Sequence, residues 1–391
     1  MDYRFADRFD GITGSAIRAI FSLLADPNII SFAGGNPSPA TFPKEDLAKM
    51  AEKLIAEQGD SVLQYGGTIG RASALNTVKE LLAKEGYNAK DGEIITLTGS
   101  SQGIEMMTKV FINPGDTVLV ESPTFLGALQ TFNTYQANLV EVDMDEQGII
   151  PEALEKALAE TNAKFLYTIP TFQNPTGRTL PIERRKQVYE LCKKYGCIVL
   201  EDDPYMALRY EGEAVAGIKS FDPENEMVVK LISFSKTISP GLRMGAAYAN
   251  SAIIHKFNLA KQGIDVHTPN LTQDLVAEYI DAGLYEERIG KNCDLYRDKC
   301  ALMYEEAVKA FPEGTKIVRP EGGMFIWAEL PEEYNCTELF KTAVEAGVAY
   351  VPGTHFYAHG GHHNTLRLNF TMVSEEKIRE GMARLKKVFS K

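Results

Sequence analysis

The feature that most constrains this chain is an alternation between short apolar runs of strand character and segments with apolar residues every three or four positions. The runs are EIITL (93–97), TVLVES (117–122), KFLYTIP (164–170), CIVLED (197–202) and VVKLISF (228–234). GIEMMTKVF (103–111), ALEKALAE (153–160) and IERRKQVYELCKKYG (182–196) carry the helical period between them. Strands alternating with helices build a mostly parallel sheet covered on both faces, an α/β architecture. Ligands of such sheets bind beyond the carboxyl ends of the strands, so chemistry is expected just after each run.

Beyond about residue 290 the pattern changes to a long helical stretch (roughly 285–310), short strands around GGMFIWAEL (322–330) and TLRLNFT (365–371), and a closing helix. That part is α+β in character. A chain of 391 residues, 44% hydrophobic and 24% charged, is long enough for about two domains. Its net charge of -12 works against a nucleic-acid or anionic-membrane partner. The N-terminus lacks a basic segment followed by an apolar core, and nowhere do about 18 apolar residues run together, so neither signal peptide nor membrane span is expected. Cys192, Cys197, Cys293, Cys300 and Cys336 are scattered without a CxxC pair and read as reduced thiols of a cytoplasmic protein. His355, His359, His362 and His363 lie among glycines and read as an exposed loop rather than a metal site.

The segments after the strands carry the chemistry. TGSSQGIEMM (98–107) leads directly into a helix, so free backbone N–H groups, the positive helix end and the hydroxyls of Ser100 and Ser101 suit a phosphate; taken alone, simple serine capping explains it as well. SKTISPGLRMG (235–245) places Lys236 two residues past a strand and Arg243 seven further on, a lysine able to add to a carbonyl and an arginine able to grip a phosphate. By itself SxK marks one exposed lysine among many. After CIVLED, either Asp202 or Asp203 could hold a heterocyclic ring nitrogen and Tyr205 a ring oxygen, although DP is also an ordinary turn. TFQNPTGRTL (171–180) is a turn whose Asn174 amide could reach the same oxygen, and Pro123 and Pro175 sit where cis peptide bonds occur. Four consecutive strand ends bearing a phosphate cradle, an amide, an Asp/Tyr pair and a lysine converge on one cofactor.

In order, SFAGGNPSPATFP, QYGGTIG, TGSSQGIEMM, ESPTF, PTFQNPTG, EDDPY, SFSKTISPGLRMG and LRLNF resemble the class I/II aminotransferases of pyridoxal 5'-phosphate (PLP) fold type I, over about residues 10–390. Among these the chain is most similar to the 2-aminoadipate and kynurenine aminotransferase subgroup. The resemblance implies a large domain (46–286) with a mostly parallel seven-stranded sheet, a small C-terminal domain (287–391) and an N-terminal arm (1–45) over the active-site mouth.

It also implies roles. Lys236 would be the Schiff-base lysine and proton shuttle, Asp202 rather than Asp203 the partner of the pyridinium nitrogen, and Asn174 and Tyr205 the partners of the ring hydroxyl. Ser100, the backbone at Ser101 and Gln102, Ser233, Ser235 and Arg243 would hold the phosphate, with Phe125 stacked on the ring and Tyr65 reaching the phosphate of the neighbouring subunit in a homodimer. The commoner family pattern has Gln-Gln where this chain has Ser101-Gln102, which preserves backbone contacts and puts the side-chain contact at 101 in question. Arg367, Asn174 and Gly35 would receive the substrate. SAIRAIFSLLADP (15–27) reads as an amphipathic helix whose Arg18 faces either a distal carboxylate or an aromatic side chain, with a solvated helix arginine as the plain alternative. The implied reaction is ping-pong transfer of an amino group from an L-amino acid (2-aminoadipate, glutamate, an aromatic or other large apolar donor) to a 2-oxo acid. A PLP-dependent C–S β-lyase of the same fold is the rival, and a non-catalytic sensor protein a remoter one.

Overall fold

A computed structural model describes residues 3–10, 12, 26 and 28–390 of the chain; the segment proposed to carry Arg18 lies outside the described residues. From the N-terminus, strand β1 (Ile30–Ser31) precedes the eight strands of the central sheet. These are β2 (Ile94–Leu97), β3 (Thr117–Ser122), β4 (Asn138–Asp145), β5 (Gly148–Ile149), β6 (Phe165–Thr168), β7 (Ile198–Asp202), β8 (Val228–Ser233) and β9 (Gly245–Tyr248). Their spatial order is β2-β9-β8-β7-β6-β3-β4-β5. Seven form the expected sheet, and the two-residue β5 extends its edge as an antiparallel hairpin on β4.

The pairs β3·β4, β3·β6, β6·β7 and β7·β8 are parallel, whereas β9 is antiparallel to both of its neighbours. Two reversals restore direction, so β2 runs parallel to β8. The carboxyl ends of β2, β3, β6, β7 and β8 therefore open on one edge of the sheet, the edge where a doubly wound fold binds its ligand. The apolar runs are buried along their length because helices cover both faces: β2, β6 and the centre of β3 are buried throughout. Phe132 from helix Leu126–Thr134 packs edge-on against Phe165 and Tyr167, both centroids at 5.6 Å, and all three rings are wholly inaccessible. Burying each ring contributes about 1.5–3 kcal/mol.

The second sheet has the order β10 (Lys316–Ile317), β11 (Phe325–Glu329), β14 (Thr365–Asn369) and β13 (Val351–Pro352), antiparallel throughout. A separate parallel pair joins β1 to β12 (Val348–Ala349), tying the N-terminal segment to this part of the molecule. Helix Leu284–Ala310 runs between the two sheets in sequence, and the division expected at residues 286 and 287 falls inside its first turn. The closing helix is Glu375–Phe389. One contiguous apolar core links the two sheets, and at their junction Tyr205 meets Phe325 edge-on with centroids 5.8 Å apart. That junction is the wall of the candidate site.

All five cysteines are free and buried. The His359 ring bonds the Leu139 carbonyl at 3.2 Å and His362 stacks on Tyr357 at 4.0 Å. No cluster of three or more His, Cys, Asp or Glu suited to a metal occurs among the described residues. Among those residues no helix is long and apolar enough to cross a membrane.

Candidate active site

A cavity of about 440 Å³ opens at the carboxyl edge of the sheet, within the range that small-molecule sites occupy. Gly35, Ser100, Ser101, Phe125, Asn174, Asp202, Tyr205, Ser233, Ser235, Lys236, Arg243 and Arg367 all line it. Tyr65 and Gln102 stand apart from this wall, and Arg18 lies outside the described residues.

Lys236 follows β8 in the loop that returns as β9, and its Nζ donates to the Gly35 carbonyl at 2.8 Å. Burial, with the positive charges of Arg367 and Arg243, lowers its pKa to about 8, against the opposing pull of Asp202. A lysine so placed supplies a neutral amine near physiological pH.

Asp202 ends β7 and points into the cavity, while Asp203 turns to the far side, toward the buried Lys230 at 3.8 Å. Strand alternation separates neighbouring acids in this way. The Tyr167 hydroxyl donates to Asp202 Oδ2 at 2.9 Å, whereas Oδ1 is buried with no hydrogen-bond partner among the described residues. Burial raises the carboxyl pKa to about 6, opposed by the bonds from Tyr167 and Ser100 and by the charge of Lys236. An orphaned buried carboxylate oxygen costs roughly 1–3 kcal/mol. It is a ready acceptor for a cationic N–H.

Asn174, in the turn after β6, donates from Nδ2 to the Tyr205 hydroxyl at 3.4 Å and accepts at Oδ1 from Arg367 Nη1 at 2.8 Å. Burial holds the Tyr205 phenol well above its ordinary range, so it remains a donor. Both peptide bonds singled out in the sequence, Ser122–Pro123 and Asn174–Pro175, are cis. Arg367 projects from β14; its Nη2 donates to the Ala33 carbonyl at 2.9 Å, and its guanidinium lies over Phe325 (4.2 Å) and Phe356 (5.0 Å). Its Nε is buried without a hydrogen-bond partner among the described residues, and burial lowers its pKa to about 10. The fork is packed on two aromatic rings with its Nε–H unspent, an arrangement suited to a carboxylate.

The phosphate cradle is built by helix Ser100–Phe111, whose N-cap is Gly99 at φ 79°. A Cβ there would lie 2.2 Å from Arg243 Nη2, and the left-handed φ already disfavours other residues, so glycine lets the guanidinium close on the helix end. Arg243 donates to the Ser235 hydroxyl at 3.4 Å and to the Thr98 carbonyl at 3.3 Å. The Gln102 backbone N–H is engaged by Gly99 O at 3.0 Å. Its amide braces the cradle from behind: Nε2 donates to Asp265 at 2.8 Å, and Oε1 accepts from Thr98 N and the buried Lys261. Tyr65 is 81% exposed with its ring edge-on to His267.

Sequence reasoning missed Tyr167, which reads as one more core aromatic of β6, and Phe325, which reads as a strand residue. Only their neighbours in space, Asp202 and Arg367, distinguish them. The cavity's donor set suits a phosphorylated pyridine aldehyde: an N–H cradle with arginine, an unpaired carboxylate oxygen, a phenol with an amide, and an amine of lowered pKa.

Comparison with known proteins agrees. The profile of the aminotransferase class I and II family matches residues 27–385. The aromatic-amino-acid aminotransferase 1 of Thermococcus litoralis is 40% identical, the alignment covering 98% of this chain and 94% of that protein. The 2-aminoadipate transaminase of Thermus thermophilus is 40% identical over 96% of this chain and 93% of that protein. Among solved structures, the kynurenine aminotransferase of Pyrococcus horikoshii in complex with PMP superposes with a TM-score of 0.94 at 40% identity, covering 98% of this chain and 96% of that one. The chain belongs to the class I and II aminotransferases.

Proposed function

We propose that this aminotransferase works through Lys236, with Asp202, Asn174, Tyr205, Arg243 and Arg367 in the roles their chemistry suggests, and that it accepts 2-aminoadipate, glutamate or aromatic amino acids as donors. Class I and II aminotransferases use pyridoxal phosphate, and that is the cofactor here. The observation that carries the reading is the convergence of a lysine of lowered pKa, a carboxylate oxygen without a partner and an arginine with a free N–H on one cavity. Bound there, the cofactor supplies an electron sink for the charge left when the substrate Cα gives up its proton.

The protein's own residues do the rest. The Lys236 amine takes the Cα proton and returns it, a task matched to a pKa near the working pH. The Asp202 carboxylate keeps a proton on the ring nitrogen. Asn174 and Tyr205 hold the ring oxygen, and Arg243 with Ser100, Ser101, Ser233 and Ser235 holds the phosphate, with the Ser101 and Gln102 backbone beside them. Phe125 stacks on the ring. Arg367, with Asn174 and Gly35 beside it, takes the substrate α-carboxylate. The apolar wall of Phe125, Leu126, Ile169 and Phe325 supports large donors, and two of the relatives above are named for aromatic and 2-aminoadipate substrates. The C–S lyase alternative gains no support from those aminotransferases.

A cytoplasmic homodimer with Tyr65 lent to the neighbouring site completes the proposal, and the high exposure of Tyr65 in a single chain agrees with it. The deciding experiment is an absorbance scan of the purified holoenzyme. The cofactor band should shift on adding an amino acid and return on adding a 2-oxo acid, and should do neither in Lys236→Ala. An unchanged response in Lys236→Ala sinks the assignment. Arg18→Ala tested on glutamate, 2-aminoadipate and phenylalanine decides the side-chain specificity: a loss confined to one donor class supports it, and uniform or absent losses remove it.

A further inference from the structure

We propose that Glu121, which has no place in the cavity wall, is a positioning residue that sets the Asn174 amide and, through it, the Arg367 guanidinium. The inference rests on the roles given above to Asn174 and Arg367.

Glu121 lies near the carboxyl end of β3, paired in register with Val142, and its side chain is almost wholly inaccessible. The carboxylate takes three donors that all belong to the neighbouring chain between β6 and Asn174. Oε1 accepts from the Thr168 hydroxyl at 2.6 Å, and Oε2 accepts from the Ile169 backbone N–H at 3.2 Å and from Gln173 Nε2 at 3.0 Å. Among the described residues no cation pairs with it: burial pushes its pKa up to about 7 against the pull of those same three donors. A buried acid kept at this expense, without an ion pair to offset it, holds its place through what it binds.

What it binds is the approach to Asn174. Gln173 passes the constraint on: the same Nε2 donates to the Pro123 carbonyl at 2.7 Å, and Oε1 accepts from Thr176 N at 2.9 Å and from its hydroxyl at 2.7 Å. Asn174 is therefore flanked by two residues, Gln173 and Thr176, tied to a single network anchored on Glu121. Its own amide spans the cavity from Tyr205 to Arg367. Rotation of that amide would detach the ring-oxygen partner and the carboxylate fork together, whereas the Lys236 loop, built from β8 and β9, has no bond to Glu121.

The test is Glu121→Gln, with Thr168→Val as a milder partner. Glutamine can keep its oxygen on the Ile169 and Gln173 N–H groups, but it removes the negative charge they face and forces the Thr168 hydroxyl to turn from donor to acceptor. Losing a hydrogen bond to a charged group predicts a rise in KM for the amino donor of about tenfold in Glu121→Gln and about threefold in Thr168→Val. The change in kcat should be smaller than the change in KM in both. The pH midpoint of the bound cofactor's absorbance should also rise, because the ring-oxygen donor is displaced. A purely structural role would lower the melting temperature and leave KM and that midpoint at wild-type values for the folded fraction, and that result overturns the inference. Should Glu121→Gln fail to fold, Thr168→Val decides alone: a wild-type KM there overturns it. Transamination persisting in Lys236→Ala would instead overturn the functional reading, while a wild-type Glu121→Gln beside an inactive Lys236→Ala would overturn only the role of Glu121.

Discussion

Arg367 donates to Asn174 across 2.8 Å, so the arginine proposed to hold the substrate carboxylate is fixed by the amide proposed to hold the cofactor's ring oxygen. Substrate and cofactor sites share a side chain, and neither can loosen alone. Arg367→Lys keeps the charge but not the planar fork, which is packed on Phe325 and Phe356. Truncating one member of a buried, hydrogen-bonded charged contact costs about 2–5 kcal/mol, so kcat/KM for the donor should fall by roughly 30-fold or more. Steady-state kinetics with a saturating 2-oxo acid checks this; a fall of less than threefold would remove Arg367 from the carboxylate site.

The Tyr167 hydroxyl donates to Asp202 Oδ2 at 2.9 Å. Tyr167→Phe keeps the ring packed on Phe132 and removes only the hydroxyl. The Asp202 carboxyl, already raised to about 6 by burial, should rise further. A carboxylate that must be ionised then loses activity over a wider acidic range: the acid limb of the kcat profile moves to higher pH, and kcat at neutral pH falls about tenfold. A profile that superposes on wild type would show that the hydroxyl does not support Asp202.

The parts of this site legible in the sequence are those attached to strand ends. Lys236, Asp202, Asn174 and Ser100 each follow an apolar run directly, and once five parallel strands share an edge their positions converge. Residues that act through a neighbour were not legible. Glu121 and Tyr167 lie inside strands, where an acid near the end of an apolar run and a tyrosine within one show no sign of a partner, and only register brings them to Gln173 and Asp202. Gln102 was legible only for its backbone at the helix start; that a helical turn carries its side chain to Asp265 and Lys261 was not. Short strands such as β5 carry too little pattern to be separated from a turn.

Lys236 also makes a prediction about stability in the cofactor-free protein. Its pKa falls from 10.5 to about 8 on folding, chiefly through burial. The unfolded chain therefore binds more protons between pH 8 and 10.5, and stability from this group increases with pH across that window. Below about pH 8 the folded protein carries the full cost of a charged, enclosed ammonium, at most about 3 kcal/mol because the cavity admits water. Apo Lys236→Met should resist urea better than apo wild type at pH 7, with the advantage shrinking as pH approaches 10. An advantage that grows with pH would reverse the sign of the shift and contradict the burial argument.

Asp202 and Asp203 are adjacent, yet their environments divide function from stability. Asp203 Oδ2 lies 3.8 Å from Lys230 Nζ, and Lys230 in turn lies 3.3 Å from Glu85 Oε2, with both Asp203 and Lys230 side chains buried. Asp203 Oδ1 has no hydrogen-bond partner among the described residues, and Lys230 is the largest compensation for its charge. Lys230→Met leaves that carboxylate stranded and should cost about 3–5 kcal/mol of folding stability. Because Lys230 is on the face of the sheet away from the cavity, KM for the donor and the bound cofactor's spectrum should keep their wild-type values at temperatures where the variant is folded. Asp202→Asn should do the opposite, holding the urea midpoint close to wild type while the cofactor's spectrum and kcat change. The paired measurement is urea unfolding and an absorbance titration on both variants. If Lys230→Met alters the spectrum while Asp202→Asn leaves it intact, the assignment of the two acids to opposite sides of β7 is wrong in its functional consequence.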